Sequence, residues 1–450
     1  MTSFSVDGYF QTFLNWESKL QQAAPAAFSL ERMERLLAVF GHPEEKLRFA
    51  HIAGTKGKGS TSAFLASILR ASGYRVGLYT SPHLYDVRER IRVLEVGHSP
   101  AGVPGDIFGD CITADALERL VQYYYDDIEV LRRAGTEVTF YELITALAAA
   151  YFAAREVQIV VLETGLGGRL DATNVFETSV CGITPLGFDH THILGNTLAA
   201  IAAEKAGIIK APYQRVSMAP PSAEALTVIE AHCRKFNIIP SVVGQDLACH
   251  IGRITAEGVA FDVHGRRVYE GLVSPLTGAH QAQNAALAIA MAEDLEIFGF
   301  LLTEEAVRDG IKGVRWPLRF ERAAVDPVVI IDGAHTAESA RALVSVFQAA
   351  YPGRKAVVVV GMSADKDVMA VTAALSPVTE AMVLTRADHP RSAEISSSEV
   401  GKVLSGVPIV VTQHVAAAMD EARRMAGRDG IVLVTGSLFA GAEARAYVSV

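Results

Sequence analysis

The fold of this chain is constrained most by a glycine- and lysine-rich segment near residue 55. An apolar run at 49–53 is typical of a buried strand, and a stretch with apolar residues at helical spacing covers 61–71. A strand, a glycine-rich turn and a helix in this order form the context of a phosphate-binding loop. The turn and the residues that follow it are Gly54, Thr55, Lys56, Gly57, Lys58, Gly59, Ser60 and Thr61.

The residue types in this turn suit a phosphate group. Glycines allow backbone N–H groups to converge on an anion, and a helix N-terminus adds a partial positive charge. Lys58 supplies a mobile cation, and Ser60 or Thr61 supplies a hydroxyl for phosphate or Mg²⁺. The strict pattern G-x-x-x-x-G-K-[ST] is not matched, because Gly59 separates the lysine from the serine. We predict a nucleotide phosphate site here, and the alternative is a structural turn with exposed lysines.

Length and composition limit the class of protein. With 450 residues the chain is too long to fold around a single ordinary hydrophobic core, and this length predicts two domains. The formal net charge of −9 argues against nucleic acid as the main partner. The four cysteines lack the spacing of a metal site or a disulfide framework, and no apolar stretch is long enough to span a membrane. Residues 1–20 do not resemble a signal peptide, so we expect a cytoplasmic protein.

The apolar patterns predict an α/β protein of two domains. Residues 1–313 are expected to form a P-loop-type domain with a mostly parallel sheet, and 323–450 a smaller Rossmann-like α/β domain after a linker at 314–322. A surface excursion is expected at 95–112 and antiparallel β structure at 250–275. Strands are predicted at 74–80, 158–162, 180–185, near Val216 and Ile238, and at 328–333, 355–361, 380–385, 407–411 and 430–435. Helices are predicted as two segments within 7–40, the second starting near Ser29, and at 115–134, 140–155, 281–295 and 337–349.

Polar side chains follow the predicted strand ends, where ligands gather in parallel sheets. Glu163 ends a buried-type strand and is suited to hold Mg²⁺, although a carboxylate there could instead cap the next turn. His190 follows the next strand, and an imidazole suits a second metal ion, although most loop histidines are structural. Lys205 lies on a predicted helix and resembles an ordinary solvated lysine. Asn284, Asp332 and His335 could contact a nucleotide or could simply be caps and loop polar groups.

Taken in order, these segments resemble the folylpolyglutamate synthase/dihydrofolate synthase branch of the Mur ligases. The similarity runs almost end to end and includes Ser81-Pro82-His83-Leu84 and the glycine-rich run before Asp171. The landmarks are residues 51–61, 81–84, 89–91, 162–174, 189–190, 194–195, 204–208, 332–335, 365–367 and 435–438. The order and spacing of these motifs make the resemblance specific.

The resemblance implies ATP-dependent amide ligation. ATP would convert a carboxylate into an acyl phosphate, and an incoming amine would displace the phosphate. The implied partners are small molecules: ATP, L-glutamate, and dihydropteroate or reduced folates. The resemblance also implies two Mg²⁺ sites, a carbamylated lysine and a monomeric protein. It is compatible with a bound monovalent cation as well. Neither nucleic acid nor a membrane is an expected partner.

Residue roles carried by the resemblance follow the matched motifs. Lys58 and the loop residues 54–61 match phosphate contacts, and Ser81, Glu163 and His190 match Mg²⁺ ligands. Lys205 matches a lysine whose carbamate supports the second metal. Further ATP contacts correspond to Asn284, Arg319, Asp332 and His335, and the pteroate pocket to Tyr141, Asp171 and Ala172.

The sequence also departs from the family pattern. Lys56 stands where asparagine is common, and Leu318 replaces a glycine that is usual in the linker. Thr336 and Ala337 follow His335 where Asn-Pro is frequent, and no acidic residue is found around 26–28, near the pteroate pocket. None of these changes removes a predicted phosphate or metal group.

Several alternatives remain open at this point. A folylpolyglutamate synthase without dihydrofolate synthase activity is the closest. A cell-wall Mur ligase is disfavoured because residues before 49 leave little room for a UDP-substrate domain. A P-loop switch protein or small-molecule kinase is disfavoured by the second α/β domain and by the absence of a guanine-specifying Asn-Lys-x-Asp motif. A nucleotide-binding paralogue without catalysis need not keep Lys58, Glu163, His190 and Lys205 together.

Overall fold

The computed structural model describes residues 5–19, 22–23, 27–97 and 108–449. Most of the surface excursion expected at 95–112 lies outside these ranges, as does Ala26 beside the expected pteroate pocket. The chain divides into two compact units. The first comprises the chain up to Ile251 together with Phe261–Val273 and His280–Val314, and the second comprises Gly252–Ala260, Ser274–Ala279 and the chain from Arg315.

The first unit is built around a mostly parallel sheet. In the described part of the chain this sheet has seven strands in the order β3-β2-β4-β1-β5-β6-β7, and only β3 runs antiparallel to its neighbour. The strands are β1 (Phe49–Ala53), β2 (Val76–Tyr79), β3 (Ile91–Leu94), β4 (Ile159–Glu163), β5 (Val180–Ile183), β6 (Arg215–Met218) and β7 (Ser241–Val242). The central strands β1, β4 and β5 are buried on both faces, as expected for a sheet covered by helices.

Helices cover this sheet, and the helix after β1 packs closely against the helix that contains Gly310. Gly310 allows another helix to approach, since a Cβ there would lie 2.4 Å from the Cα of Ile68. The Ser67 hydroxyl donates a hydrogen bond of 2.7 Å to the Gly310 carbonyl. The helices are α1 (Val6–Phe10), α2 (Leu30–Val39), α3 (Lys58–Ala71), α4 (Ala114–Arg133), α5 (Phe140–Ala154), α6 (Thr191–Leu194), α7 (Leu198–Ala206), α8 (Ala223–Arg234), α9 (Ala279–Leu295) and α10 (Glu304–Gly313).

A small three-stranded sheet follows α8 in the chain. Its order is β10-β9-β8, formed by β8 (Ala248–Thr255), β9 (Gly258–His264) and β10 (Val268–Ser274). β9 alternates buried and partly exposed residues along most of its length, the period of two that a half-buried strand shows.

The second unit is a separate α/β layer structure. Within the described residues its sheet has six strands in the order β11-β12-β16-β13-β14-β15, parallel except for β11. The strands are β11 (Glu321–Val325), β12 (Val328–Ile331), β13 (Ala356–Val360), β14 (Thr379–Leu384), β15 (Ile409–Val411) and β16 (Ile431–Thr435). The helices are α11 (Ala337–Ala350), α12 (Val368–Leu375), α13 (Ser397–Val403), α14 (Val415–Ala426) and α15 (Leu438–Val448).

Some expected elements are corrected by the structure. The antiparallel edge strands β3 and β11 were not predicted, because each is short and lies at a sheet edge. The strand expected near Ile238 is β7, which begins at Ser241 and pairs in parallel with β6. Ile238 itself lies before this strand: Asn237 adopts a left-handed φ of 56°, and the Ile238 N–H donates to the Cys233 carbonyl. The first of the two N-terminal helices is only the five-residue α1. No helix in the described ranges is long and apolar enough to cross a membrane.

Leu318, which replaces the usual linker glycine, adopts a conformation that favours glycine. Its φ is 57°, in the left-handed region, which costs an L-residue roughly 1–2 kcal/mol. Its side chain is fully buried, and a Cβ on Gly441 would lie 3.3 Å from one of its methyl groups. Burial of the leucine side chain therefore offsets backbone strain at this position.

We expect the Leu318→Gly variant to be more stable than the Leu318→Ala variant, which reverses the usual order. Both remove the buried side chain, which costs about 2–5 kcal/mol, but only glycine also relieves the left-handed φ. The glycine variant should therefore be about 1 kcal/mol more stable than the alanine variant in urea unfolding. The matched pair at the helical core residue Leu343 should show the normal order, with alanine more stable. Equal or greater stability of Leu318→Ala would contradict the strain assignment.

Candidate active site

The glycine-rich segment forms a tight connection between β1 and α3. Gly54 and Gly57 have φ values of 155° and 85°, and Gly57 immediately precedes the first residue of α3. A Cβ on Gly54 would lie 1.8 Å from the Thr184 hydroxyl, and one on Gly57 would lie 2.4 Å from Asn284 Oδ1. Both positions therefore exclude any side chain. The close approach also brings Asn284 against the loop, as expected for a residue of the same site.

The loop is fastened to the segment that follows β5. The backbone N–H groups of Thr55 and Lys56 both donate to the Pro185 carbonyl. The Thr55 hydroxyl donates to the Gly187 carbonyl at 3.1 Å, and the Lys56 ammonium lies 3.1 Å from Asp189 Oδ2. The lysine that departs from the family pattern therefore forms an ion pair beside the loop.

Ser81 and Glu163 meet at the carboxyl edge of the sheet. β2 and β4 are parallel neighbours with Tyr79 paired to Leu162, so the residues after both strands emerge side by side. The backbone N–H of Ser81 donates to Glu163 Oε2 at 3.2 Å. On its other side Glu163 pairs in register with Ile52, two residues before Gly54. The two predicted metal ligands are thus adjacent to each other and to the phosphate loop.

Lys205 is a buried residue of this site and not the solvated lysine that its helical position suggests. Its side chain is only 3% exposed, and its amine donates a hydrogen bond of 2.7 Å to the Gly54 carbonyl. Burial lowers the pKa of the Lys205 amine to about 7, and the positive charge of Lys58 contributes to the decrease. A neutral amine is therefore accessible at ordinary pH.

Gly168 and Gly207 explain how α7 comes close enough to contact the loop. A Cβ on Gly168 would lie 2.8 Å from the Glu204 carbonyl oxygen, and one on Gly207 would lie 2.4 Å from the Cβ of Arg169. The Arg169 N–H also donates to the Glu204 carbonyl at 2.8 Å. Glycine at these positions lets the two backbones touch, which presents Lys205 to the loop. The Arg169 side chain is paired with the Glu204 carboxylate.

His190 follows β5 in a left-handed conformation with a φ of 50°. Its Nε2 lies 3.7 Å from Asp189 Oδ1, and its backbone N–H donates to the same oxygen at 3.1 Å. Asp189 therefore contacts both Lys56 and His190. Thr184 was not predicted from the sequence, because its close approach to Gly54 joins residues far apart in the chain.

Tyr141, Asp171 and Ala172, the predicted pocket residues, lie together. Asp171 caps the 3₁₀ turn Ala172–Val175, and the Tyr141 hydroxyl lies 3.4 Å from Asp171 Oδ1. Burial raises the pKa of Asp171 despite its hydrogen bonds, and burial raises the pKa of Tyr141 well above its usual value. An open cavity lies beside Leu166, whose backbone N–H donates to Asp171. Its lining includes Phe28, Leu166, Leu170 and Ile193.

Arg319, Asp332 and His335 belong to the second unit and lie close to one another within it. Asp332 follows β12 and accepts hydrogen bonds from the backbone N–H groups of Phe320 and Ala334 at 2.9 and 2.8 Å. The side chain of Arg319 lies beside Gly333, where a Cβ would come within 2.9 Å of its Nη1. His335 Nδ1 lies 3.0 Å from the Gly333 carbonyl oxygen.

The arrangement at Ser81 and Glu163 fits a magnesium ion that takes some of its ligands from the protein and others from a bound phosphate. Mg²⁺ is usually held by one or two carboxylates, water and substrate phosphates. Across the ranges that the structure describes, no three His, Cys, Asp or Glu side chains converge as a complete metal site. One carboxylate and a serine beside a phosphate loop provide the partial ligand set that this type of site requires.

Comparisons with known proteins agree with the family resemblance seen in the sequence. Residues 318–438 match the family model of the Mur ligase glutamate ligase domain. The dihydrofolate synthase/folylpolyglutamate synthase of Bacillus subtilis (strain 168) is 36% identical over 424 residues, which cover 91% of this chain and 92% of the relative. The folylpolyglutamate synthase of Lacticaseibacillus casei is 34% identical over 77% of this chain and 79% of its own.

Solved structures give the same result. The Mycobacterium tuberculosis folylpolyglutamate synthase (FPGS) complexed with ADP matches with a TM-score of 0.86 and 28% identity, covering 99% of this chain and 98% of that chain. An FPGS–AMPPCP–folate complex matches with a TM-score of 0.81 and 29% identity over 98% and 97%. These similarities confirm the fold class and the family resemblance predicted from the sequence. The chain therefore belongs to the dihydrofolate synthase/folylpolyglutamate synthase family of ATP-dependent Mur-type ligases.

Proposed function

We propose that this protein is a bifunctional ligase that joins L-glutamate to dihydropteroate and to reduced folates. The Bacillus subtilis relative carries both activities in its name, and similar structures were solved with ADP or with AMPPCP and folate. The observation that carries the proposal is the meeting of the phosphate loop, the Ser81–Glu163 pair and the buried Lys205 at one edge of the sheet.

The proposed chemistry activates a carboxylate that is otherwise a poor acyl donor. The γ-phosphoryl group of ATP is transferred to a carboxylate oxygen of the acceptor, and ADP is released. The amine of L-glutamate then attacks the acyl carbon, the carbon–oxygen bond to phosphate breaks, and the amine loses a proton. Phosphate leaves far more readily than oxide, which is why the acyl phosphate is needed.

The residues of the first unit divide this work. Lys58 and the N–H groups of residues 57–61 bind the outer phosphates, because they combine a side-chain cation with the N-terminus of α3. Ser81 and Glu163 would hold Mg²⁺, with His190 as ligand to a second ion. A bound Mg²⁺ neutralises charge that develops on the phosphoryl oxygens. Asn284 contacts the nucleotide from beside Gly57, while Arg319, Asp332 and His335 remain predicted ATP contacts.

Lys205 is proposed to act as a carbamate. Its lowered pKa leaves a substantial neutral fraction, and a neutral amine can attack CO₂, form a nitrogen–carbon bond and release one proton. The product is an anion that could support a cation beside the Gly54 carbonyl. As an ammonium group the same side chain could not be a metal ligand.

The proposal also includes a monomeric, cytoplasmic protein. It is supported by the family resemblance and by the four described cysteines, none of which forms a disulfide; Cys181 and Cys233 are buried. Folylpolyglutamate synthase activity alone is the second candidate function, and the Lacticaseibacillus casei relative carries only that name.

The experiment that tests the function is release of ADP with ATP, Mg²⁺ and L-glutamate, comparing 7,8-dihydropteroate with tetrahydrofolate as acceptor. The bifunctional enzyme turns over both acceptors. Turnover of tetrahydrofolate alone would support the second candidate and direct attention to the cavity beside Phe28. No turnover with either acceptor would refute both.

Glu163→Gln should lose turnover without losing the fold. Glutamine has nearly the same shape and can still accept from the Ser81 N–H, but it removes the negative charge of a predicted metal ligand. We expect kcat to fall about 100-fold or more with the melting temperature nearly unchanged. Glu293→Gln is the control, since Glu293 is a buried carboxylate on α9 bonded to Tyr269. Equal ADP release by Glu163→Gln and by the wild type would contradict the assignment of Glu163 as a metal ligand.

Lys205→Met should change the pH dependence of stability. The folded pKa near 7 lies below the unfolded value of about 10.4, so the unfolded chain binds more protons between these limits. The wild type is therefore destabilised most at and below pH 7, and the loss disappears as pH rises to about 10.4. In CO₂-free buffer the variant should be more stable by a few kcal/mol at pH 7, with a shrinking advantage above it.

The control for this measurement is Lys235→Met, because Lys235 is exposed at the end of α8. Its stability difference from wild type should not vary with pH in the same window. A pH-independent difference for Lys205→Met would show that the buried amine keeps an ordinary pKa.

A further inference from the structure

A chain of buried hydrogen bonds links β1 to the predicted substrate pocket. His51 Nε2 lies 2.7 Å from the Thr173 hydroxyl, and that hydroxyl lies 2.6 Å from Asp171 Oδ1. His51 and Thr173 are fully buried, and Asp171 is nearly so. The roles assigned above to the phosphate loop and metal residues do not use His51 or Thr173.

The direction of these hydrogen bonds follows from the carboxylate. Asp171 also accepts from the backbone N–H groups of Thr173 at 3.0 Å and of Leu166 at 2.8 Å. An ionised carboxylate only accepts, so the single hydroxyl proton of Thr173 is donated to Asp171. The hydroxyl oxygen then accepts from His51, which must carry its proton on Nε2.

The surroundings of His51 agree with a neutral ring of this tautomer. Burial lowers the pKa of His51 to about 3, and the charge of Lys210 adds to the effect. Its other ring nitrogen, Nδ1, is buried with no hydrogen-bond partner in the described part of the chain. The ring therefore serves as a fixed donor over the physiological pH range.

Asp171 in turn holds two groups at the predicted pocket. It fixes the Leu166 N–H, and Leu166 lines the open cavity next to Phe28. It also lies 3.4 Å from the Tyr141 hydroxyl, and the Tyr141 ring packs so closely on Gly165 that a Cβ there would lie 2.7 Å from it. A displaced carboxylate would release both the tyrosine and the glycine-rich backbone.

We propose that His51 and Thr173 are positioning residues that set the affinity for the acceptor substrate by fixing Asp171. The inference rests on the proposed function and deepens it, since the acceptor is the pteridine-bearing substrate of that reaction. Neither residue is catalytic, because both are fully buried and act through Asp171. β1 thereby carries the phosphate loop at its end and, three residues earlier, the anchor of the substrate pocket.

The test compares Thr173→Val with Thr173→Ser. Valine keeps the shape but removes the hydroxyl that joins His51 to Asp171, whereas serine keeps it. In Thr173→Val we expect the KM for the acceptor to rise about tenfold or more with the KM for ATP within about twofold of wild type. Thr173→Ser should restore the acceptor KM to within about threefold. Equal changes in both KM values, or an unchanged acceptor KM, would overturn the proposal.

A second measurement is made on the wild-type protein and does not depend on activity. Nitrogen-15 NMR of histidine-labelled protein distinguishes the two neutral tautomers, and the His51 signal is the one that disappears in His51→Gln. A neutral Nε2–H ring that does not titrate between pH 6 and pH 9 is expected. A ring protonated on Nδ1, or an imidazolium, would overturn the hydrogen-bond chain.

The two measurements separate this inference from the proposed function. Absence of wild-type turnover with every folate-type acceptor would reject the function, and the tautomer would still decide whether His51 and Thr173 anchor Asp171. Normal wild-type turnover with an unaffected acceptor KM in Thr173→Val would keep the function and reject the inference.

Discussion

The buried hydrogen bond from the Lys205 amine to the Gly54 carbonyl is the interaction on which the site of the first unit depends. It joins α7 to the phosphate loop, and it exists only because two pairs of backbones touch. Gly168 packs on the backbone of α7, and Gly207 packs on Arg169. A side chain at either glycine would push the helix away, and the amine would no longer reach the loop. Close packing therefore determines the chemistry available at the site.

Burial also changes what the charged groups of this site can do. An exposed lysine is a permanent cation at neutral pH, but Lys205 loses solvation and lies near Lys58, which lowers its pKa to about 7. Lys56 instead forms an ion pair with Asp189 at 3.1 Å. Two lysines beside one loop therefore differ in their electrostatic role, and only their surroundings distinguish them.

The local patterns predicted the regular structure well. The strand–turn–helix order at 49–71 is present as β1 and α3, and most strands of both sheets lie within a few residues of the expected ranges. The antiparallel edge strands β3 and β11 were missed because a short edge strand has no continuous apolar run. The strand expected near Ile238 is present as β7 but begins only at Ser241, and Ile239 before it is 91% exposed.

What the sequence determined by itself was the succession of elements and the family, because these depend on short-range periodicity and on motifs in a fixed order. Only the tertiary structure decided that Lys205 is buried, that Thr184 touches Gly54 and that His51 reaches Asp171 through Thr173. These contacts join residues more than a hundred positions apart, and no local pattern encodes them. They arise because parallel strands end at a common edge and glycines let backbones come close enough for side chains to meet.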